Sequence, residues 1–211
     1  MNKKTLFYEI IFFGSIWGIL EASLGYVLHF LPTLIAGTTM FAVASFILYR
    51  AFLKTNSKTA LLWIGLVAAF IKAFDFFLPA HPIYGYVKVI NPMFCILIET
   101  LMLFAILPVL AKKNLLSGGI ALMGASLSWR SLFLVYLIFQ DAVFKTVSTQ
   151  LSSWESGLSF VVLNGLVSGL IALVFYGLNL LIGNRFLAKL PLKPVPAVLT
   201  FTLAVAVTLL L

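Results

Sequence analysis

Acidic residues are scarce: six Asp and Glu stand against fourteen Lys and Arg in 211 residues, and all charged residues together make up only 9%. A soluble domain carries roughly 25% charged residues, which excludes an apolar core wrapped in a charged coat. Cysteine is nearly absent as well. The one thiol, Cys95, lies in an apolar run; this excludes a disulfide framework and a thiolate metal cluster and reads as a packed core thiol. Two histidines, His29 and His81, stand near the ends of apolar runs, with no H-E-x-x-H or H-x-x-E-H spacing. They read as interfacial, and no metal site is expected. A G-x-S-x-G elbow, a P-loop and a dinucleotide fingerprint are missing too. Neither an enzyme activity nor a cofactor is expected, and an ATP-driven step must come from another protein.

Apolar residues make up the bulk, 63% of the chain, in runs near 6–28, 33–53, 59–78, 89–110, 115–139, 158–183 and 195–211. A helix crossing a bilayer needs about 20 such residues. The expected fold is therefore all-α, a polytopic transmembrane helical bundle of six to seven spans forming one integral membrane domain over residues 1–211. The N-terminus starts like a signal peptide, but its apolar run is too long and lacks an A-x-A-like exit, so it reads as a retained first helix. Connections are short and rich in turn residues. The exception is 140–157, QDAVFKTVSTQLSSWESG, long enough for a lid or an interfacial piece.

If the spans alternate, Lys3, Lys4, Arg50, Lys54, Lys58, Lys112, Lys113, Arg185, Lys189 and Lys193 all fall on one side. The positive-inside rule makes that side the cytoplasm, with the N-terminus inside and the C-terminus outside; the plasma membrane of a prokaryote is the expected location. The net charge of +8 then reflects topology and calls for no nucleic acid. Membrane lipid and a small-molecule substrate are the expected partners.

Inside the runs stand Glu21, Lys72, Asp75, Glu99 and Arg130. With about 1.5 Å of rise per residue, Glu99 falls near the midplane and the other four roughly 4–10 Å outward of it. Each costs about 2.5–3.5 kcal/mol at the bilayer centre, so they must meet one another, water or a ligand. Lys72 and Asp75 at i and i+3 can neutralise each other, and Glu99 can bridge to Arg130, which would make the set structural. The alternative is a ligand site, favoured by clustering: the inner halves of the spans read as free of such groups. Trp17, Trp129, Tyr136, Asn91 and Asn164 stand at the same level and suit a mainly apolar pocket with a few polar groups.

Gly14, Gly18 and Ala22 recur every four residues in the first run, and Gly165 and Gly169 with Ala172 form a second stripe. Such stripes admit another helix at close range, within the chain or from a partner. Size, the inside N-terminus, outward-half polar residues, the Gly14/Gly18/Ala22 ridge and the segment IKAFDFFLPAHPIYGYVKVINPMFCILIE together resemble the substrate-binding S components of energy-coupling factor (ECF) vitamin transporters. The resemblance covers about residues 1–184; glycine stands at two ridge positions where the family has alanine, and a seventh run follows its six-helix fold. It implies capture of a vitamin or precursor from outside, docking of the ridge to a coupling membrane protein, and energy from two ATPase subunits. The rival expectation is a self-contained proton- or ion-coupled transporter in which Glu21, Asp75 and Glu99 titrate.

Overall fold

The computed structural model describes residues 1–28, 33–81, 85–146, 148–182 and 193–211, with the backbone alone for 28 and 33–37. His29, Arg185 and Lys189 lie outside this set. Among the described residues there are seven helices and no strand: α1 (Lys3–Leu28), α2 (Thr33–Thr55), α3 (Lys58–Lys72), α4 (Val87–Leu110), α5 (Leu115–Phe144), α6 (Trp154–Ile182) and α7 (Pro194–Leu210). Their bounds follow the apolar runs to within about five residues, because long uninterrupted apolar stretches satisfy their backbone hydrogen bonds only as helices.

Polar punctuation separates them. Asn56, Lys113 and Lys145 each adopt a left-handed conformation, with φ of 50°, 55° and 54°, which reverses the chain in a few residues. Asn114 caps α5 by accepting from the Ser117 N–H, and Ser153 caps α6 by accepting from Ser156. Segment 140–157 is corrected here. The apolar pattern of α5 continues through Phe144, and α6 starts at Trp154, so the connection shrinks to residues 145–153, which include the 3-10 turn Thr149–Leu151.

The helices α1, α3, α4, α5, α6 and α2 close a ring in that spatial order, and α2 also reaches α3 and α4 across it. Small residues make this crossing possible: Ala42, Ala44 and Ala51 of α2 are fully buried beside Phe41 and Leu48. At the edge of the ring, α7 packs on α1, on α3 and on the 3-10 turn Ala73–Phe77 that follows α3. The outer faces are apolar too, with Leu132, Val135 and Phe139 of α5 and Leu166, Leu170 and Val174 of α6 exposed. Water penalises such a surface and lipid does not. Five helices, α1, α3 with its turn, α4, α5 and α6, are long and apolar enough to cross a membrane.

One end of the bundle gathers most of the basic helix termini, among them Lys3, Lys4, Lys54, Lys58, Lys112 and Lys113. There Lys54 of α2 pairs with Glu9 of α1 at 3.0 Å, and Glu9 is 1% exposed. The expectation that the inner halves of the spans lack charge is therefore wrong: Glu9 is buried within α1, balanced by its neighbour. At the same end the Tyr49 and Tyr176 hydroxyls both donate to the Leu110 carbonyl, at 3.3 and 2.8 Å, tying α2, α4 and α6 together.

The small-residue ridge is filled from within the chain. A Cβ added at Gly14 would stand 2.6 Å from Val67 Cβ, and one at Gly18 2.9 Å from Ile71. Both glycines let α3 approach α1, and Ala22 is buried, so no open ridge is left for a docking partner. The second stripe likewise receives α5: Leu127 covers Gly165 and Met123 covers Gly169.

Candidate functional site

A cavity of about 480 Å³ opens at the end opposite the basic termini. Its walls come from the last turns of α1, the end of α3 and its 3-10 turn, the connection to α4, the first turns of α4, and the C-terminus of α7. Glu21, Lys72 and Asp75 line it. Asp75 is placed by the change from α-helix to 3-10 turn at Ala73, which brings its carboxylate 2.6 Å from the Lys72 ammonium. The two side chains are 19% and 15% exposed, so the pair faces the cavity and not bulk solvent. Glu21, half-buried on α1, lies within electrostatic reach of Lys72. The neighbour pairing read from sequence is formed, and the same two side chains line the cavity.

Glycine shapes two parts of the wall. Gly85, at φ +52°, donates its N–H to the His81 carbonyl at 2.8 Å just before α4 begins. Gly25 meets no atom of the described residues within 4 Å of a built Cβ, which leaves the α1 wall open. His81, read from sequence as interfacial, lines the cavity together with Tyr26, Tyr86 and Lys88. Thr208 of α7 lines it as well, with its hydroxyl buried and unpartnered. Thr208, Tyr26, Tyr86 and Lys88 were missed as site residues. A lone threonine in an apolar helix has no signature in sequence, whereas the tyrosines and Lys88 are amphipathic residues flanking apolar runs, a weak but usable signal.

The remaining candidates are not brought to this cavity. Asn91 of α4 is the shared acceptor of a network with α5: the Tyr136 hydroxyl donates to its Oδ1 at 3.0 Å and Gln140 Nε2 at 3.1 Å. Tyr136 also stacks on Phe94, with ring centres 4.1 Å apart. These residues pin α4 to α5. Asn91→Ala is expected to cost about 1–3 kcal/mol by stranding two donors, read as a lower thermal midpoint in detergent. Glu99, Arg130, Trp17, Trp129 and Asn164 are all buried deeper in the bundle. Among the described residues no ion pair joins Glu99 to Arg130, so the bridge considered from sequence is not formed, although each lies in the other's field. The five charges thus divide into a cavity group, Glu21, Lys72 and Asp75, and an interior group, Glu99 and Arg130. No group of three His, Cys, Asp or Glu that could hold a metal ion occurs among the described residues.

Fold and cavity define a class, an all-α bundle with several helices apolar enough to cross a membrane and, at one end, a mainly apolar concavity with a few charged groups. No protein-family model, curated protein or solved structure matches the chain.

Proposed function

We propose that this protein is a membrane-embedded capture subunit that binds a small polar molecule in the cavity at the end of α1, α3 and α7. The observation that carries this is the concavity of about 480 Å³ with three part-buried ionisable side chains, Glu21, Lys72 and Asp75, in an otherwise apolar bundle. Small-molecule sites have volumes of roughly 300–1,000 Å³ and just such a mixture of apolar wall and few polar groups. With the basic end in the cytoplasm, the cavity opens outward, as uptake requires.

Lys72 is held between Asp75 and the field of Glu21. Ionised, Glu21, Lys72 and Asp75 sum to one negative charge, which favours a cationic or zwitterionic ligand. A vitamin or vitamin precursor fits this description, with energy supplied by a coupling membrane protein and two ATPases, as in the S components that the sequence resembles. Because α3 covers the Gly14/Gly18 ridge, such a partner would dock on another face.

A second reading has one observation in its favour. Glu99 is buried inside the apolar bundle while Glu21 lines the cavity wall, and intramembrane acids arranged in this way carry protons in secondary transporters. Purification from native membranes in mild detergent separates the two. Co-elution with ATPase subunits, and uptake that stops when ATP is withdrawn, is the expected result. Uptake into liposomes by the isolated chain under a pH gradient would select the proton-coupled transporter instead.

A further inference from the structure

The charged wall of the outer cavity lies within the apolar stretches, below their ends. Glu21 stands six residues before the end of the stretch Lys3–Val27, and Asp75 two before the end of Lys58–Phe77, by difference of residue numbers. With about 1.5 Å of rise per helical residue, Glu21 is roughly 9 Å below the end of its stretch. At that level the outside of the bundle borders hydrocarbon and not water. Charges of both signs line the cavity, Glu21 and Asp75 against Lys72 and Lys88, which suits a ligand that itself carries both signs.

The mouth of the cavity runs without a break into the apolar outer surface. Tyr86 lines the cavity, and its ring packs against that of Phe76 with centres 5.5 Å apart. Tyr86, Phe76 and, one turn further along α4, Ile90 are 45%, 40% and 41% exposed. On the same two elements the neighbours of Ile90 and Phe77 turn inward: Val89 and Leu78 line the cavity, whereas Phe77 is 82% exposed. Aromatic residues at span ends commonly form an interfacial belt; these are set apart by the place of Tyr86 in both the charged wall and the apolar strip. A volume of about 480 Å³ holds a headgroup, and long hydrocarbon chains gain nothing by leaving lipid for an apolar bundle.

We infer that the ligand of this cavity is a zwitterionic amphiphile with an ammonium and a phosphate in its headgroup. The ammonium meets the carboxylates of Glu21 and Asp75, the phosphate meets the Lys72 ammonium, and the hydrocarbon chain leaves between the 3-10 turn and α4 along Phe76, Tyr86 and Ile90. This rests on the reading of the cavity as a capture site and narrows the captured molecule to one that arrives through lipid.

The test uses the purified chain in a maltoside detergent and three probes. Lysophosphatidylethanolamine has both headgroup and chain, glycerophosphoethanolamine the headgroup alone, and lysophosphatidylglycerol the chain with an anionic headgroup. Binding is read by native mass spectrometry and by the rise of the thermal midpoint. One lysophosphatidylethanolamine per chain is expected to bind saturably, at least about tenfold more tightly than either other probe. Gly25→Leu, which fills the cavity, should abolish that binding. Ile90→Ser, on the outer strip, should weaken lysophosphatidylethanolamine and leave glycerophosphoethanolamine unchanged. Equal binding of glycerophosphoethanolamine, lost in Gly25→Leu, would overturn the amphiphile and leave capture by the cavity standing. Equal binding of lysophosphatidylglycerol would overturn the zwitterionic headgroup. Binding of lysophosphatidylethanolamine that is the same in Gly25→Leu as in the wild type, or no binding of it to the wild type, would overturn the assignment, the former together with the cavity as the site of capture.

Discussion

Lys72→Met alone is expected to cost about 3–5 kcal/mol of stability, while Lys72→Met combined with Asp75→Leu should fold close to wild type. The single change strands a carboxylate now 2.6 Å from its counter-ion and leaves Glu21 without the field of Lys72. Breaking one side of a buried pair carries such a cost, whereas replacing both partners by apolar groups is often neutral. The double variant separates structure from function. It should keep its thermal midpoint yet lose ligand, because each charge-assisted hydrogen bond lost is worth about 1.5–3 kcal/mol, or roughly ten- to more than a hundredfold in dissociation constant. Thermal unfolding in detergent reads the first effect, and retention of the co-purifying molecule reads the second. A double variant that keeps its ligand fully would remove Lys72 and Asp75 from the site.

Gly14→Leu should prevent folding of most of the protein. A built Cβ at this position already stands 2.6 Å from Val67 Cβ and 3.0 Å from the Ile64 carbonyl oxygen, so α1 and α3 must separate before any further carbon is added. Overpacking by a few methylenes costs about 1–3 kcal/mol, and leucine against backbone on a facing helix falls at the upper end or beyond. Size-exclusion chromatography of the detergent extract should show aggregated or absent protein. Gly124→Leu, at a glycine with no atom of the described residues within 4 Å of a built Cβ, should elute like the wild type. A Gly14→Leu protein that folds normally and loses only a partner would mean that the ridge is a docking face after all.

These two experiments bear on what could be read from the sequence. The helices were legible because each long apolar run leaves the backbone no other way to make its hydrogen bonds, and the Lys72–Asp75 pair because i,i+3 spacing fixes neighbours along one helix. Rotation about a helix axis was not legible in a chain apolar inside and out. Gly14 and Gly18 announce a close approach but not from which helix, and α3 took the place assigned to a partner. Depth placed Glu99 and Arg130 near the level of Glu21, yet depth alone does not say which groups share a cavity. Glu9 was overlooked because it stands one turn past the basic N-terminus; its partner Lys54 is on another helix, 45 positions away by difference of residue numbers. The contribution of Thr208 depends on α7 folding back beside α1, a contact between opposite ends of the chain.

Capture of a small polar molecule in the outer cavity is tested most directly by filling it. Gly25 lines that cavity and has no atom of the described residues within 4 Å of its Cβ position, so Gly25→Leu should fold normally while its side chain occupies the binding space. Wild-type and Gly25→Leu protein, purified side by side in mild detergent, are denatured, and the released small molecules are compared by mass spectrometry. The expected result is a molecule carrying a positive charge or a zwitterionic headgroup, released in stoichiometric amount from the wild type and at least about tenfold depleted in Gly25→Leu. The same molecule released equally from both proteins, at equal thermal stability, would contradict the cavity as the site of capture.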